Sequence, residues 1–331
     1  MLKISVIVPI YNAEKYMCQC LDSITTQNIQ DIEIVCVNDG STDSSLTVLH
    51  EYERKDQRIR VFSQDNKGAG SARNLGISCA TGEYVAFMDP DDWYPSTDTL
   101  EMLYKKATQN GVSICGGSFS ELRDNRIITL YSGVNAKYTF HEEGIIFYKD
   151  YQFDYGFHRF IYERSLLLKN NIYFPEYRRF QDPPFFVRAM ICAGLFYAIP
   201  EITYRYRAGH NVIDWNVEKT NGLLRGLIDI LQLSREHKLS SLHKLAVYRT
   251  NSKLYLQRFM ENITLDNVEL LALLLKANET ISIDLLREAE PSIDIDEPVI
   301  IEPIKKIISL VNENTYENKK NVETKATLSA N

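Results

Sequence analysis

The sequence predicts an α/β fold in which helices flank a mostly parallel β-sheet and a helical extension follows. Three apolar runs have the length and composition of strands that are buried on both faces, namely Ile4–Pro9, Ile32–Val37 and Glu83–Met88. Between these runs lie segments in which apolar residues recur every three or four positions, as on one face of a helix. Strands that alternate with helices in this way favour a Rossmann-like sheet with helices on both faces.

Local signals support each further element in chain order. Residues 13–27 carry Tyr16, Cys20 and Ile24 at helical spacing, and Ser41 begins a polar cluster that supplies N-cap chemistry for the next helix. The same patterns predict a strand at Ile59–Phe62, a loop and helix at Gly68–Ala80, a helix at Asp98–Gln109, a strand at Val112–Gly116, hairpins or insertions at 119–153, helices at Tyr162–Asn170 and Pro183–Cys192, and an extended segment at Leu195–Tyr206.

The pattern beyond Val217 is helical. Helices are predicted at Glu218–His237, Leu242–Asn262 and Asn267–Ala277, with one or two amphipathic turns at Ile304–Val311. Ser282–Glu302 is acidic and proline-containing, and the polar segment from Asn312 is typical of a disordered tail. We therefore expect a domain at 1–215 with halves 1–117 and 118–215, a helical extension at 216–280, and a linker and tail at 281–331.

The composition limits the kinds of binding partner and the cellular compartment that we expect for this protein. The net charge of −7 argues against broad nucleic-acid binding, which requires basic surfaces. The six cysteines are widely spaced and lack zinc-site spacing, which favours reduced packing residues and a cytoplasmic protein. The N-terminus leads directly into a predicted strand, so we expect no signal peptide, and no apolar stretch reaches the roughly 20 residues of a membrane span. Any membrane contact is therefore expected to be peripheral, at the inner face of the cytoplasmic membrane.

An acidic cluster, Asp89-Pro90-Asp91-Asp92, follows the apolar run that ends at Met88. Ligands of open α/β sheets bind at the carboxyl ends of the strands, and clustered carboxylates there repel one another unless a cation or hydrogen-bond donors neutralise them. Carboxylate oxygens suit Mg²⁺ or Mn²⁺. An acidic turn without a ligand is the alternative, because Asp and Pro are ordinary turn residues.

Several motifs stand in a fixed order along the first two thirds of the chain: Val6–Asn12, Leu21–Ile24 with Gln27, Val37–Asp43, Asn66–Gly68 with Ala72–Asn74, Asp89–Asp92, and Gln181–Phe186. Together they resemble the inverting family 2 glycosyltransferases of the GT-A fold, of the type found in bacterial polysaccharide biosynthesis. The acidic cluster corresponds to the DxD motif of that family in a D-x-D-D form. The resemblance covers 1–210 and leaves the helical C-terminal third unassigned.

The resemblance implies transfer of a hexose or N-acetylhexosamine from a UDP-sugar to a hydroxyl of a glycan or lipid-linked oligosaccharide. The transfer would be a direct displacement assisted by Mn²⁺ or Mg²⁺. The residues implied in donor binding are Pro9, Tyr11, Asn12, Asp39, Asn66, Lys67, Gly68, Arg73 and Asp89. Tyr11 would offer a flat ring to the base, and Asp39 would accept a hydrogen bond from uracil. A half-buried loop aromatic, a turn aspartate and a solvated Lys67 are the alternatives for these positions.

The resemblance also implies a metal site and a base. Asp91 would be the direct metal ligand, with Asp89 on the ribose or metal side and His210 completing the metal or diphosphate site. Asp182 would be the catalytic base, although Gln181 replaces the glutamate that commonly precedes it in the family and so removes a nearby charge. Structural alternatives are a packing role for His210 and a helix cap for Asp182, which precedes two prolines.

The sequence is also compatible with two other functions. A sugar-phosphate nucleotidyltransferase also uses paired carboxylates on an α/β sheet, and a catalytically inactive module would bind a sugar nucleotide or a glycan without turnover. Asp92 would orient the acceptor or support its loop, and both Arg205 and Arg207 are candidate neighbours of the diphosphate. The C-terminal helices would cover the acceptor cleft, form a homodimer or rest on a membrane.

Overall fold

The computed structural model describes residues 2–210, 214–292 and 303–310. The chain divides into two compact units, Met1–Ile213 and Asp214–Asn331. The strands of the first unit are β1 (Ile4–Ile10), β2 (Ile32–Asp39), β3 (Ile59–Gln64), β4 (Tyr84–Phe87), β5 (Ile114–Arg123), β6 (Arg126–Ile128), β7 (Gly144–Phe147), β8 (Phe160–Glu163) and β9 (Leu195–Arg207). Its helices are α1 (Met17–Thr25), α2 (Ser45–Lys55), α3 (Ala69–Cys79), α4 (Thr99–Gln109), α5 (Tyr148–Tyr151), α6 (Arg164–Lys169) and α7 (Asp182–Ala193), with 3₁₀ turns at Gly133–Tyr138 and Phe157–Arg159.

The nine strands form one sheet in the order β3-β2-β1-β4-β8-β5-β9-β7, and β6 pairs with β5. Strands β1 to β4 are parallel to one another. Every residue of β1 and β2 is buried, which explains why both strands are mainly apolar and do not alternate between apolar and polar residues. The α/β class with helices around a parallel sheet is confirmed, and the carboxyl ends of β1, β2 and β4 meet at one edge.

The second half of the sheet contains antiparallel pairs. Strand β8 lies between β4 and β5 and runs antiparallel to both, whereas β5 and β9 are parallel. The helix predicted at Tyr162–Asn170 was wrong at its start, because Tyr162 and Glu163 belong to β8 and the helix begins at Arg164. Phe160, Ile161 and Tyr162 are all fully buried, so packing within the sheet outweighs their local helical pattern.

The second unit is helical, with α8 (Val217–Glu236), α9 (Ser240–Thr250), α10 (Lys253–Asn262), α11 (Val268–Thr280) and α12 (Ile283–Ala289). The helix predicted at 242–262 is interrupted, since Ser252 caps α10 by accepting a hydrogen bond from the backbone N–H of Tyr255. Helix α12 and a helical segment at 303–310 lie within the predicted linker. The predicted tail from Asn312 lies outside the described residues. No described helix combines the length and the hydropathy that a bilayer crossing requires.

His243 connects α9 to the start of α12 inside the second unit. Its Nε2 accepts a hydrogen bond from the backbone N–H of Ser282 at 2.8 Å, and its Nδ1 lies 2.8 Å from Oγ of Ser234. The Ser234 hydroxyl itself donates to the carbonyl of Leu231, so Nδ1 is the protonated nitrogen of a neutral ring. The ring is fully buried, and burial lowers the pKa of His243 to about 4.

We predict that His243 makes the helical unit sensitive to acid. Because its pKa in the folded state is below that of an unfolded histidine, the unfolded chain binds more protons between about pH 6.5 and 4, and stability is lost as the pH falls through that window. The free energy of unfolding of the wild type should fall by about 3 kcal/mol more than that of His243→Gln. Urea unfolding followed by circular dichroism at several pH values measures the difference.

The matched control for this prediction is His50→Gln. His50 lies on the exposed surface, where it pairs with Glu53, so this variant should lose far less of the stability change between about pH 6.5 and 4 than His243→Gln does. Equal pH dependence in the wild type and in His243→Gln would contradict the prediction.

Candidate active site

The carboxylate of Asp39, at the end of β2, holds the loop that follows β3. Oδ1 of Asp39 accepts hydrogen bonds from the backbone N–H of Lys67 at 2.9 Å and from Nε2 of Gln64 at 2.7 Å, and Oδ2 accepts one from the N–H of Gly68 at 2.8 Å. Oδ1 of Asn66 accepts a bond from Arg178, in the segment before α7. Asp39 therefore holds in place the turn that contains Asn66, Lys67 and Gly68. All four residues are among those predicted to bind the sugar-nucleotide donor.

The loop after β1 lies at the same edge of the sheet. Asn12 adopts a positive φ of 47°, and its Oδ1 accepts a hydrogen bond from the backbone N–H of Thr42 at 2.8 Å. The neighbouring Tyr11 is 49% exposed, whereas Pro9 is buried within β1. Asn12 therefore joins the loops that follow β1 and β2, and it leaves the Tyr11 ring accessible to a ligand.

The guanidinium of Arg73 connects the two predicted halves of the domain, because it binds one carboxylate from each. Nη2 donates to Oδ1 of Asp89 at 2.7 Å, and Nη1 donates to Oδ1 of Asp182 at 2.9 Å. The Arg73 side chain is only 4% exposed, and its charge lies over the rings of Phe157 and Phe174. Burial opposes the charged form of Arg73, but Asp89 and Asp182 outweigh it and raise its pKa. The candidate base and the acidic cluster thus share one buried cation.

Asp89 has a second partner that the sequence did not indicate. Nε2 of His158 lies 3.0 Å from Oδ2 of Asp89, and the His158 ring stacks on Tyr204. Burial opposes ionisation of Asp89, but Arg73 and His158 outweigh it and hold the pKa of this carboxyl below its usual range. His158 comes from the 3₁₀ turn before β8, and no local spacing pattern links it to Asp89.

Asp92 supports the loop rather than facing the pocket. Its fully buried carboxylate accepts hydrogen bonds from the Tyr204 hydroxyl at 2.6 Å and from the backbone N–H of Arg207 at 2.7 Å. The same hydroxyl accepts a bond from the N–H of Asp89. Burial, together with the nearby Asp91 and Asp89, raises the pKa of Asp92 well above its ordinary value. Asp92 therefore joins the acidic turn to β9.

Asp91 and His210 form a contact that suits a cation. Oδ2 of Asp91 lies 2.8 Å from Nε2 of His210, and burial, with the charge of Asp89, raises the pKa of Asp91. Nδ1 of His210 is buried without a hydrogen-bond partner among the described residues. The carboxylate of Asp91 fits Mn²⁺ or Mg²⁺, which prefer oxygen ligands and often take one or two protein carboxylates plus phosphate and water oxygens.

These residues do not provide a complete set of protein ligands for a metal ion. In the described ranges of the chain, no group of three His, Cys, Asp or Glu side chains surrounds a common point. Asp89, which the sequence also assigned to the metal, directs its two oxygens to Arg73 and His158. A cation at Asp91 would therefore complete its coordination with substrate oxygens.

Of the two candidate arginines in β9, Arg207 lies at the acidic turn. Its Nε donates to the carbonyl of Asp91 at 3.0 Å, and its guanidinium lies 4.8 Å from the ring centroids of Tyr16 and Trp93. The Nε of Arg205 instead donates to the Ser120 hydroxyl at 3.2 Å.

Asp182 borders a cavity of ≈ 310 Å³. It is the first residue of α7, whose preceding residue, Gln181, makes no side-chain capping bond. The Asp182 side chain is 32% exposed. Its Oδ1 binds Arg73, and Oδ2 has no hydrogen-bond partner in 2–210, 214–292 or 303–310. The cavity is lined by Asp89, Phe119, Glu121, Tyr138, Tyr155, Gly156, Phe157, His158, Arg179, Asp182 and Tyr206. One oxygen of this carboxylate is therefore available to a ligand.

We predict that Arg73→Leu destabilises the first unit, because both Asp89 and Asp182 then lose the cation that compensates their burial. The free energy of unfolding should fall by about 3 kcal/mol, as measured by urea denaturation. Arg225→Leu is the matched control, since Arg225 pairs with Glu269 where both side chains are nearly half exposed. That variant should unfold at nearly the wild-type urea concentration. A similarly small effect of Arg73→Leu would contradict the prediction.

Comparison with known proteins identifies the family of this chain. Residues 5–171 match the family described as Glycosyl transferase family 2. The chain is 36% identical over 221 residues to the uncharacterized glycosyltransferase EpsJ of Bacillus subtilis, an alignment that covers 63% of this chain and 62% of EpsJ. The chain thus spans less than two thirds of the length of this relative.

Two solved structures share the fold. S. aureus TarS 1-349 in complex with UDP-GlcNAc superimposes with a TM-score of 0.68 at 22% identity, over 86% of this chain and 83% of the 1-349 fragment. The mannosyltransferase PcManGT from Pyrobaculum calidifontis, in complex with GDP-Man and Mn²⁺, gives a TM-score of 0.56 at 17% identity, over 92% and 87% of the two chains. The chain has a GT-A fold and belongs to glycosyl transferase family 2.

Proposed function

We propose that this chain is an inverting glycosyltransferase that moves a hexose or N-acetylhexosamine from a UDP-sugar to a glycan hydroxyl during cell-surface polysaccharide synthesis. The observation that carries the proposal is the shared guanidinium of Arg73, which brings Asp182 and the acidic cluster into one site. Membership of family 2 agrees with transferase chemistry at this site.

The donor would bind at the edge formed by the loops after β1, β2 and β3. The exposed ring of Tyr11 offers a face to the base, and stacking of this kind is worth roughly 1–3 kcal/mol per base. Asp39 accepts three internal hydrogen bonds. Because a carboxylate has about four lone-pair sites, one is left for a base N–H. The UDP-GlcNAc complex of TarS, which shares the fold, supports a UDP-sugar donor.

A divalent cation would be held by Asp91 and His210, with Asp89 as its neighbour on the ribose side. Bound there, Mn²⁺ or Mg²⁺ supplies the positive charge that stabilises the departing diphosphate. Arg207, next to Asp91, adds a further positive charge at the same end of the site. The Mn²⁺ complex of PcManGT, which shares the fold, supports this assignment.

Asp182 would act as the general base. Arg73 holds its Oδ1 and leaves Oδ2 at the cavity, where an acceptor hydroxyl would lie. As the acceptor oxygen attacks the anomeric carbon from the face opposite UDP, its proton passes to Asp182. The bond from the anomeric carbon to the acceptor oxygen forms while the bond to the β-phosphate oxygen breaks, so the anomeric configuration inverts.

Two further assignments belong to this proposal. A lipid-linked oligosaccharide acceptor would place the enzyme at the cytoplasmic face of the membrane. The helical unit exposes Leu254, Val268 and Leu275, which are about half exposed or more and would serve a peripheral membrane contact or a homodimer.

The rival functions explain less of the site. A nucleotidyltransferase would leave the link between Asp182 and the acidic cluster without a use. An inactive binding module would not need Asp182 with one oxygen held by Arg73 and the other at a cavity. A screen of UDP-sugars for UDP release, with Mn²⁺ and with Mg²⁺, tests the proposed activity and identifies the donor.

We predict that Asp182→Asn lowers glycosyl transfer by about 10²–10⁴-fold, because the amide cannot take the acceptor proton. Binding of the UDP-sugar should persist, since Asp182 is not part of the donor edge. Release of UDP in the presence of acceptor and calorimetric binding of the UDP-sugar measure the two effects. Asp150→Asn, on the exposed surface of α5, is the matched control and should behave as the wild type. Wild-type turnover by Asp182→Asn would refute the assignment of the base.

We predict that Asp91→Asn abolishes the effect of metal on nucleotide binding, because the neutral amide is a poor ligand for a hard cation. Calorimetry of UDP binding should show tighter binding with Mn²⁺ than with EDTA in the wild type and equal binding in the variant. His210→Gln should reduce the metal effect in the same direction. The ligand assignment fails if Asp91→Asn retains the full difference between Mn²⁺ and EDTA.

A further inference from the structure

The floor of the cavity beside Asp182 is one face of the β5–β9 pair. The two strands are parallel, with Phe119 opposite Tyr204 and Glu121 opposite Tyr206. Because side chains alternate along a strand, these four residues lie on the same face of the sheet. Phe119, Glu121 and Tyr206 line the cavity.

Aromatic packing fixes the Tyr206 ring at this floor. Phe119 is almost fully buried, and it stacks on Tyr206 with ring centroids 6.1 Å apart and planes inclined by 27°. Phe119 also stacks on Tyr138 at 4.8 Å, and this second contact holds it in place. Tyr206 is 39% exposed. Its ring is thus supported by Phe119 and remains open to a ligand.

The cavity lies apart from the residues that would bind the base of the donor. Tyr11 and Asn12, after β1, and Asp39, at the end of β2, do not line it. Asp89 and Asp182, which Arg73 joins, stand at its border. A molecule in this cavity would therefore meet Asp182 from the side of β5 and β9.

We propose that this cavity is the acceptor subsite and that it binds an uncharged pyranose ring stacked on Tyr206, with Glu121 accepting a hydrogen bond from a ring hydroxyl. This inference rests on the proposed function. The C–H bonds on one face of a pyranose carry partial positive charge, and they complement the negative face of an aromatic ring. The cavity combines aromatic side chains with polar groups that bind hydroxyls, as the small-molecule sites of proteins do.

The charges at the cavity favour a neutral ring over an acidic one. Asp89, Glu121 and Asp182 border it and would repel a carboxylate or a phosphate on the acceptor. The pairing of Glu121 with Arg123 and of Asp182 with Arg73 weakens that repulsion. Arg179 is a cation that lines the same cavity. An acceptor with an anionic substituent bound through Arg179 is therefore the alternative that the experiment must separate.

The experiment measures binding of simple methyl glycosides by saturation-transfer NMR. The probes are methyl β-D-glucopyranoside, methyl β-D-galactopyranoside, methyl N-acetyl-β-D-glucosaminide and methyl β-D-glucuronide. At least one neutral probe should bind the wild type and Tyr206→Phe equally, because stacking requires the ring and not the hydroxyl. Tyr206→Ala should weaken that binding about tenfold. Glu121→Gln should weaken it less, since the amide oxygen still accepts a hydrogen bond.

Donor binding provides the internal control. Calorimetric binding of UDP by Tyr206→Ala shows that the variant is folded, because UDP would bind at the loops after β1, β2 and β3, whose residues Tyr11, Asn12 and Asp39 do not line this cavity. Tyr206→Leu, which keeps an apolar contact with Phe119 but lacks a flat face, replaces it if the alanine variant does not fold.

Three results would overturn the acceptor assignment: unchanged glycoside binding in Tyr206→Ala, no binding of any neutral probe to the wild type, or preferred binding of the glucuronide that Arg179→Ala abolishes. Failure of the proposed function appears differently, as absence of UDP release from every UDP-sugar by the wild type. Glycoside binding at Tyr206 remains measurable in that case.

Discussion

One buried guanidinium, that of Arg73, determines the arrangement of the candidate site. It donates to Asp89 and to Asp182 at 2.7 and 2.9 Å, and the rings of Phe157 and Phe174 each lie 5.1 Å from it. Removing a guanidinium from water is costly, and the cost is recovered only when its donors meet well-placed acceptors. Arg73 comes from α3, Asp89 follows β4 and Asp182 begins α7. A single cation therefore fixes the relative positions of three parts of the first unit.

The position of Arg73 depends in turn on how closely α3 packs on β1. A Cβ atom at Gly76 would lie 2.4 Å from Cγ2 of Ile7, which is closer than packed atoms approach, so only glycine permits this contact. Gly68, before the helix, has a φ of +95°, a conformation that favours glycine. The glycine-rich stretch around α3 thus serves a turn and a close helix–strand contact. It is not a dinucleotide-binding fingerprint, although its spacing resembles one.

The parts of the molecule that were predictable from sequence are those that local signals encode. Strands β1 and β2 are buried on both faces, and their mainly apolar sequences predict them. Arg73, Asp89 and Asp182 lie in sequence motifs, so they were predicted as site residues. Contacts between segments that are distant in the sequence were not predicted. His158 reaches Asp89 across 69 residues because β8 lies beside β4 in the sheet, and no spacing within either segment indicates the pair. The same insertion of β8 explains why a helix was wrongly predicted from Tyr162.

The three aspartates of the acidic turn show why a motif alone does not assign roles. Asp89 is compensated by Arg73 and His158, and its pKa is lowered although it is buried. Asp92 is braced by Tyr204, and burial raises its pKa. Asp91 also has a raised pKa, because burial and the charge of Asp89 outweigh its contact with His210. Neutralising the turn therefore falls to different groups at each position. Burial and the charge of Asp89 disfavour the ionised form of Asp91, and a divalent cation bound there would favour it.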